Sequence, residues 1–391
     1  MNSQNAIHDP FKDLALNAET FSLTFDSQVG WSSPFPDVDS SRTLIVVFSA
    51  NDFWNDRVPL NELNSAFPLS SIVGCSAHGT MCDGKLLDGA VSVGIIKFQS
   101  TDIQLASVEL TEDSKLAGVQ LAEKLKHPKL KGVILFSDGL TTEGTELVRG
   151  FQTVLQKGIP IAGALASDAV MEHTWVNVNG ELKSDTVCAV GLIGDKVELV
   201  CASGGGWELM SNKHVANRTS HQTIFEIDGR PACEVYTEMV GIETLENIPW
   251  SSGPYPITLN LDGIDVVRAV SGCDLNEGWL KLAGDVPEGV EVQFMKSNLD
   301  GILDGVDEAA QQIHMKTVAL TENSLAIGIS CAARRAILIE RAGEEAGMLQ
   351  SSIGSNVCHV GMYSFGEIST TTCGRPQVHN QTMTIAVIRE H

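Results

Sequence analysis

The sequence has no run of 18 apolar residues, so it offers no transmembrane helix. It is poor in bases: 26 Lys plus Arg against 49 Asp plus Glu leave a net charge of −23. A nucleic-acid surface needs a basic stripe, and docking on anionic lipid needs basic clusters, so both are argued against. Aromatics are scarce, with 13 Phe, 6 Trp and 3 Tyr, which leaves the core to Val, Ile, Leu and Ala and the turns to 36 Gly. There is no CxxC, HxH or HxxxH pair, which argues against a metal site, and no CxxCH, which excludes covalently attached haem. The glycine triplet at 204–206 is neither GxGxxG nor GxxxxGK[ST] and carries no nucleotide claim. Nine scattered cysteines predict free thiols in a reducing cytoplasm. The polar start, residues 1–16, predicts no signal peptide. The expected compartment is therefore the cytoplasm.

What is present is a globular chain: 391 residues, 43% hydrophobic and only 19% charged. Three segments share one grammar. Each opens with a short apolar run stopped by small or polar residues: 43–50 (TLIVVFSA), 132–139 (GVILFSDG) and 324–331 (SLAIGISC). A helical stretch follows, clearest over 142–156, where Leu147, Val148, Phe151, Val154 and Leu155 share one face. In the third copy the helix is expected over 334–349. A glycine-marked strand comes next, at 71–76, 159–164 and 357–364, then a polar turn region and a closing strand at 89–96, 186–193 and 382–388. The prediction is an α/β, mixed α+β fold in which a strand-helix-strand-loop-strand unit is repeated about three times.

Between the second and third copies the sequence predicts strands at 197–202, 223–227, 266–269 and 290–295. It also predicts a helix over 231–240 started by Pro231 and closed by Gly241, and a long amphipathic helix over 299–316. A boundary is expected in a short turn around 217–223. The resulting division is an N-terminal extension 1–34, a first domain 35–222 and a second domain 223–391, the two packed intimately.

Ligands of open α/β units sit beyond the carboxyl ends of strands. There the third copy reads Ile329-Ser330-Cys331-Ala332-Ala333-Arg334-Arg335. Arginines at a helix start oppose the helix dipole, so Arg334 or Arg335 either forks onto an anionic ligand or pairs with one of the many acids. Tyr363 and Glu367, in GMYSFGEI, offer a ligand wall and an amine acceptor, or else a structural pair. His379 and Asn380, in HNQT, either complete that pocket or satisfy a turn. Cys331 as a nucleophile lacks an identifiable base. Non-covalent haem b needs only one axial histidine in an apolar cleft, and His78, His214, His221 and His359 are the candidates.

The runs ISCAARR, GMYSFGEI and HNQT resemble the C-terminal FIST domain, as do FEIDGRPACEVY (225–236) and GDVPEGVEVQFMK (284–296). IVGCSAHG (72–79) and PIAGALASD (160–168) are similar to the N-terminal FIST domain. Together the similarity covers about residues 35–391. It implies a sensory module that binds a small molecule such as an amino acid and acts on a signal-transduction partner, a sensor histidine kinase or a cyclic-dinucleotide enzyme. A similar bacterial branch, the NosP proteins, carries haem and senses nitric oxide. His221 and His78 stand where the family commonly has other residues. The readings carried forward are a stand-alone sensor with a ligand held by Cys331, Arg334, Arg335, Tyr363, Glu367, His379 and Asn380; a haem-based nitric oxide sensor; and, third, a cysteine-dependent enzyme.

Overall fold

The computed structural model describes residues 17–391 apart from Asp262 and Ala319. The segment read as lacking a signal peptide, residues 1–16, lies outside the described residues. Among the described residues no helix is long and apolar enough to cross a membrane.

The three sequence repeats are three sheets. In the first unit, strands Thr43–Ser49 and Ser71–Ser76 pair in parallel and Ala90–Lys97 closes antiparallel to the former. The second unit repeats this with Leu130–Ser137, Ile161–Leu165 and Thr186–Ile193, and the third with Leu325–Cys331, Cys358–Ser364 and Met383–Glu390. Each unit is also preceded by a strand that flanks its closing strand: Glu19–Asp26, Asp102–Glu109 and Val197–Gly204. The helices Val58–Ala66, Gly144–Val154 and Ala342–Ile353 join the first and second strands of their units.

One local detail makes the repeat physical. On the second strands, Gly74, Gly163 and Gly361 lie opposite Val47, Leu135 and Gly328. A Cβ on these glycines would stand 1.7, 1.8 and 2.4 Å from the carbonyl oxygen opposite. Each unit thus needs glycine at the same ladder position, because no side chain fits against the neighbouring backbone.

The polar turn regions do something the sequence reading did not foresee. Each folds into a hairpin that leaves its own unit. The hairpin of unit one (Thr80–Cys82, Lys85–Leu87) pairs with Cys358–Ser364 of unit three. That of unit two (Val176–Val178, Glu181–Lys183) pairs with Ser71–Ser76 of unit one. That of unit three (Gly366–Thr370, Pro376–His379) pairs with Ile161–Leu165 of unit two. The exchange closes in a ring.

The inner faces of the three sheets meet in one core. Phe48 stacks edge-on to Phe136 at 5.4 Å, and Cys75 Sγ lies 3.4 Å from Met362 Sδ. Helices cover the outer faces in separate apolar clusters. Buried on both sides, the first strands read as continuous apolar runs.

Unit three carries a long insertion. After Val197–Gly204 the chain builds a nine-stranded sheet with the helix Ala232–Val240 on it, then returns through the helix Leu299–Lys316. Residues 217–223 lie within a hairpin of this inserted sheet, between the strands His214–Ser220 and Thr223–Ile227, with the turn at 221–222. The expected helices at 231–240 and 299–316 are found, the latter capped by the Asn298 side chain. The helix expected over 334–349 is broken: Ala332–Leu338 and Ala342–Ile353 flank a short turn in which Ile339 has φ +51°. The expectation of free thiols throughout is also corrected. Cys233, on the inserted helix, is bonded to Cys273, on the strand Val270–Cys273, 40 residues away; the other seven cysteines are free. The pairing follows from helix-on-sheet packing and leaves no short-range spacing in the sequence.

Candidate functional site

The carboxyl ends of the unit-three strands bring part of the expected set together. Cys331 is opposite Ser364, and Glu367 is opposite His379. Glu367 is buried and accepts hydrogen bonds from Ser364 Oγ (2.9 Å) and from Thr382 N and Oγ1 (3.2 and 3.1 Å). Burial outweighs these bonds and pushes its carboxyl up to about 8. Burial, and after it the Glu367 charge, also pushes the Cys331 thiol well up. A nucleophilic cysteine needs the opposite shift.

The two arginines of the ISCAARR run are already engaged. Arg334 and Glu345 are both 0% exposed and bonded to each other, Nε to Oε1 at 2.8 Å and Nη2 to Oε1 at 2.7 Å. Arg334 Nη1 donates to Gly205 O (3.0 Å) and Nη2 to Ile302 O (2.5 Å), while Ser330 Oγ donates to Glu345 Oε2 (2.9 Å). The bonds tie the helix Ala332–Leu338 to the helices on either side and to the glycine triplet. Arg335 donates to His78 O and to Asp88 Oδ1 (2.5 Å) and lies 5.5 Å from the Tyr363 ring. The Tyr363 hydroxyl donates to Ala342 O (3.1 Å). Arg334, Arg335 and Tyr363 thus serve contacts within the fold.

A different arginine carries unused donors. Arg268, on the inserted strand Ile264–Arg268, is 0% exposed. Its Nη1 donates to Val378 O (2.6 Å) on the unit-three hairpin, but Nε and Nη2 have no partner. These two atoms share one edge of the guanidinium, the edge that forks onto a carboxylate. Burial lowers the Arg268 guanidinium to about 10, opposed by the charges of Glu143 and Asp285. The backbone of Gly284 lies so close that a Cβ there would stand 2.5 Å from Arg268 Nε.

Beside Arg268 runs the segment 379–382. Asn380 N donates to Val267 O (3.4 Å), and Trp207 Nε1 donates to Gln381 O (2.8 Å), so the segment is stitched to the insertion. His379 Nε2, Asn380 Oδ1 and Gln381 Oε1 are buried without partners. Burial, and then the charge of Arg268, lowers the His379 imidazole to about 3, so it is neutral. Buried polar atoms are normally paired; here a seam between the insertion and the three-sheet body leaves several unpaired. His379 and Asn380 belong to the set expected from sequence, whereas Arg268 was missed. The signal available was a lone arginine interrupting the apolar run Val266-Val267-Arg268-Ala269-Val270. Across the same seam Arg149 Nη1 bonds Asp285 Oδ2 at 2.8 Å and also pairs with Glu146. Oxygens of Glu143, Glu146 and Asp285 lie within 4.8 Å of one another.

The four histidines considered for haem occupy four separate settings. His359 is sealed between the sheet and the outer helices, close to Gly328, and burial lowers it to about 4. His214 Nδ1 is paired with Asp228 Oδ2 at 2.7 Å and its ring lies 5.4 Å from that of Phe294. His221 is an exposed turn residue with φ +49°. His78 is half-buried; its carbonyl holds Arg335, and its Nδ1 is unpartnered. The four side chains are not brought together at one place in the fold.

Residues 43–230 match the FIST N domain, and residues 232–370 match the FIST C domain. The junction of the two matches falls inside the inserted sheet, at the start of the helix Ala232–Val240. The chain is also similar to an uncharacterized protein, MJ1623, of Methanocaldococcus jannaschii, with 24% identity over 217 residues. That alignment takes in 51% of this chain and 41% of MJ1623, so the chain spans under half the length of this relative. The chain belongs to the FIST family, whose domains are associated with the sensing of small ligands in signal transduction.

Proposed function

We propose that this protein is a sensor that holds a small, carboxylate-bearing, amino-acid-like molecule in the seam between the inserted sheet and the three-sheet body. The observation that carries this reading is the buried Arg268 with an unused fork, next to the segment 379–382, on which Asn380 Oδ1 and Gln381 Oε1 are also buried without partners. The fork fits a carboxylate bidentately. The two amide oxygens, and the acids Glu143 and Asp285 that act on Arg268, favour an amine at the other end of the ligand. Because the seam joins two bodies, a ligand there shifts the balance between their arrangements, and a partner such as a histidine kinase or a cyclic-dinucleotide enzyme reads that shift.

Thermal-shift titration with the common amino acids and small hydroxy acids tests the proposal. A binder at about 100 times its Kd adds roughly 2.7 kcal/mol of stability. The shift is expected with the native chain and with Arg335→Ala, and is lost in Arg268→Met. No shift with any compound, or an unchanged shift in Arg268→Met, overturns the reading.

A further inference from the structure

Next to the seam lies a groove of about 1040 Å³, which shares Asp285 with the ligand reading but whose thiol that reading does not use. Its walls are the helix Gly144–Val154 with the turn after it, the tip of the unit-three hairpin, and the inserted-sheet loops around Leu261 and Pro287. Cys373 lies on the hairpin tip, which is closed by Thr371 N to Arg375 O and Gly374 N to Thr371 O, both at 2.9 Å.

Among the seven free cysteines only Cys373 is exposed; five are buried and Cys358 is partly so. Burial raises all six of the others. The Thr371 hydroxyl, 3.1 Å from its sulfur, and then Arg375 lower the Cys373 thiol, the direction that favours thiolate. The groove also holds an unsatisfied polar group. Thr145 lines it, is 6% exposed, and its Oγ1 has no hydrogen-bond partner. Lys157 and Arg375 stand on the groove wall, while Asp285 and Glu288 stand on the inserted side, with Asp285 already bonded to Arg149. In a chain of net charge −23, cations on the wall of the groove that carries the single exposed thiol select a particular reactant.

We infer that Cys373 is a modification site for small anionic peptide disulfides of the glutathione class, the attached peptide lying in the groove with its carboxylates toward Lys157 and Arg375. The thiolate sulfur attacks one sulfur of the incoming disulfide. That S–S bond breaks, a new one forms to Cys373, and the departing thiolate takes a proton from water. One disulfide is consumed and one mixed disulfide made, so no further oxidant is needed. The adduct bridges the hairpin and the inserted sheet, the two sides that meet at Arg268.

The full chain is incubated with glutathione disulfide and, separately, with uncharged hydroxyethyl disulfide, and the products are followed by intact mass and peptide mapping. One glutathionyl group on Cys373, absent in Cys373→Ser, is expected. Relative to free cysteine, Cys373 should prefer glutathione disulfide over hydroxyethyl disulfide. Lys157→Glu should slow the glutathione reaction roughly three- to tenfold and leave the hydroxyethyl reaction unchanged. Thr145→Val should also slow the glutathione reaction selectively. An adduct mapping to Cys358 or another cysteine, or a preference no greater than that of free cysteine, overturns the inference. This outcome is independent of the Arg268 ligand test, which needs no thiol.

Discussion

Two arginines of this chain, Arg334 and Arg268, are wholly buried, and they are used in opposite ways. Arg334 has a carboxylate, two carbonyls and a three-helix setting arranged around it. Arg268 has one firm bond, to Val378 O, and an idle fork. Burial of a charge is therefore not itself a sign of function. The state of its donors separates a structural rivet from a group awaiting a partner.

The strongest way to break this contrast is to remove Arg334. Arg334→Ala leaves Glu345 buried without its cation and should cost about 3–5 kcal/mol in urea unfolding. The double change Arg334→Met/Glu345→Leu should recover much of that. A single-variant loss below about 1 kcal/mol would make Arg334 no more structural than Arg268.

Next in size is a pH effect at Glu367, which lies between the two regions. Its carboxyl sits near 8 in the fold, above the ordinary 4.5. Below pH 4.5 both folded and unfolded chains hold the proton and nothing is lost. As pH rises from 4.5 toward 8, the unfolded chain ionises while the fold does not, so stability falls, by on the order of a few kcal/mol, and then levels off. Glu367→Gln should flatten that stretch of the profile; an unchanged slope would place the titration elsewhere.

The smallest stability effect is expected at Arg268. Arg268→Met removes one good bond but also two unpaired buried donors, so unfolding should change by less than about 1 kcal/mol. The ligand-dependent shift should disappear in the same variant. Large destabilisation by Arg268→Met would merge the two arginines into one class.

Much of the fold was legible in the sequence, because strands covered on both faces must be apolar throughout and stop at polar residues. That is why Thr43–Ser49, Leu130–Ser137 and Leu325–Cys331 stand out. The family resemblance read from ISCAARR, GMYSFGEI and HNQT also held. The juxtaposition of Cys331, Glu367 and His379 follows from their places at strand ends. What was not legible is long-range. The break at Ile339 interrupts a pattern that reads as one continuous helix. The Cys233–Cys273 bond joins residues with no shared local signal. The importance of Arg268 depends on a loop more than a hundred residues away coming to rest beside it, and that is a property of the insertion's docking rather than of any motif.

The ring of exchanged hairpins has a consequence for how the molecule is made. The hairpin Thr80–Cys82/Lys85–Leu87 emerges from the ribosome long before its docking edge, Cys358–Ser364. The sheet of unit two likewise keeps an open edge at Ile161–Leu165 until Gly366–Thr370 arrives. Neither early unit can seal itself, so most of the nascent chain must wait with strand edges exposed, a state prone to mispairing. A fragment ending at residue 230 would remain in that state permanently. These residues should therefore become protease-resistant in a single late step, once Cys358–Ser364 and Gly366–Thr370 are free to close the ring.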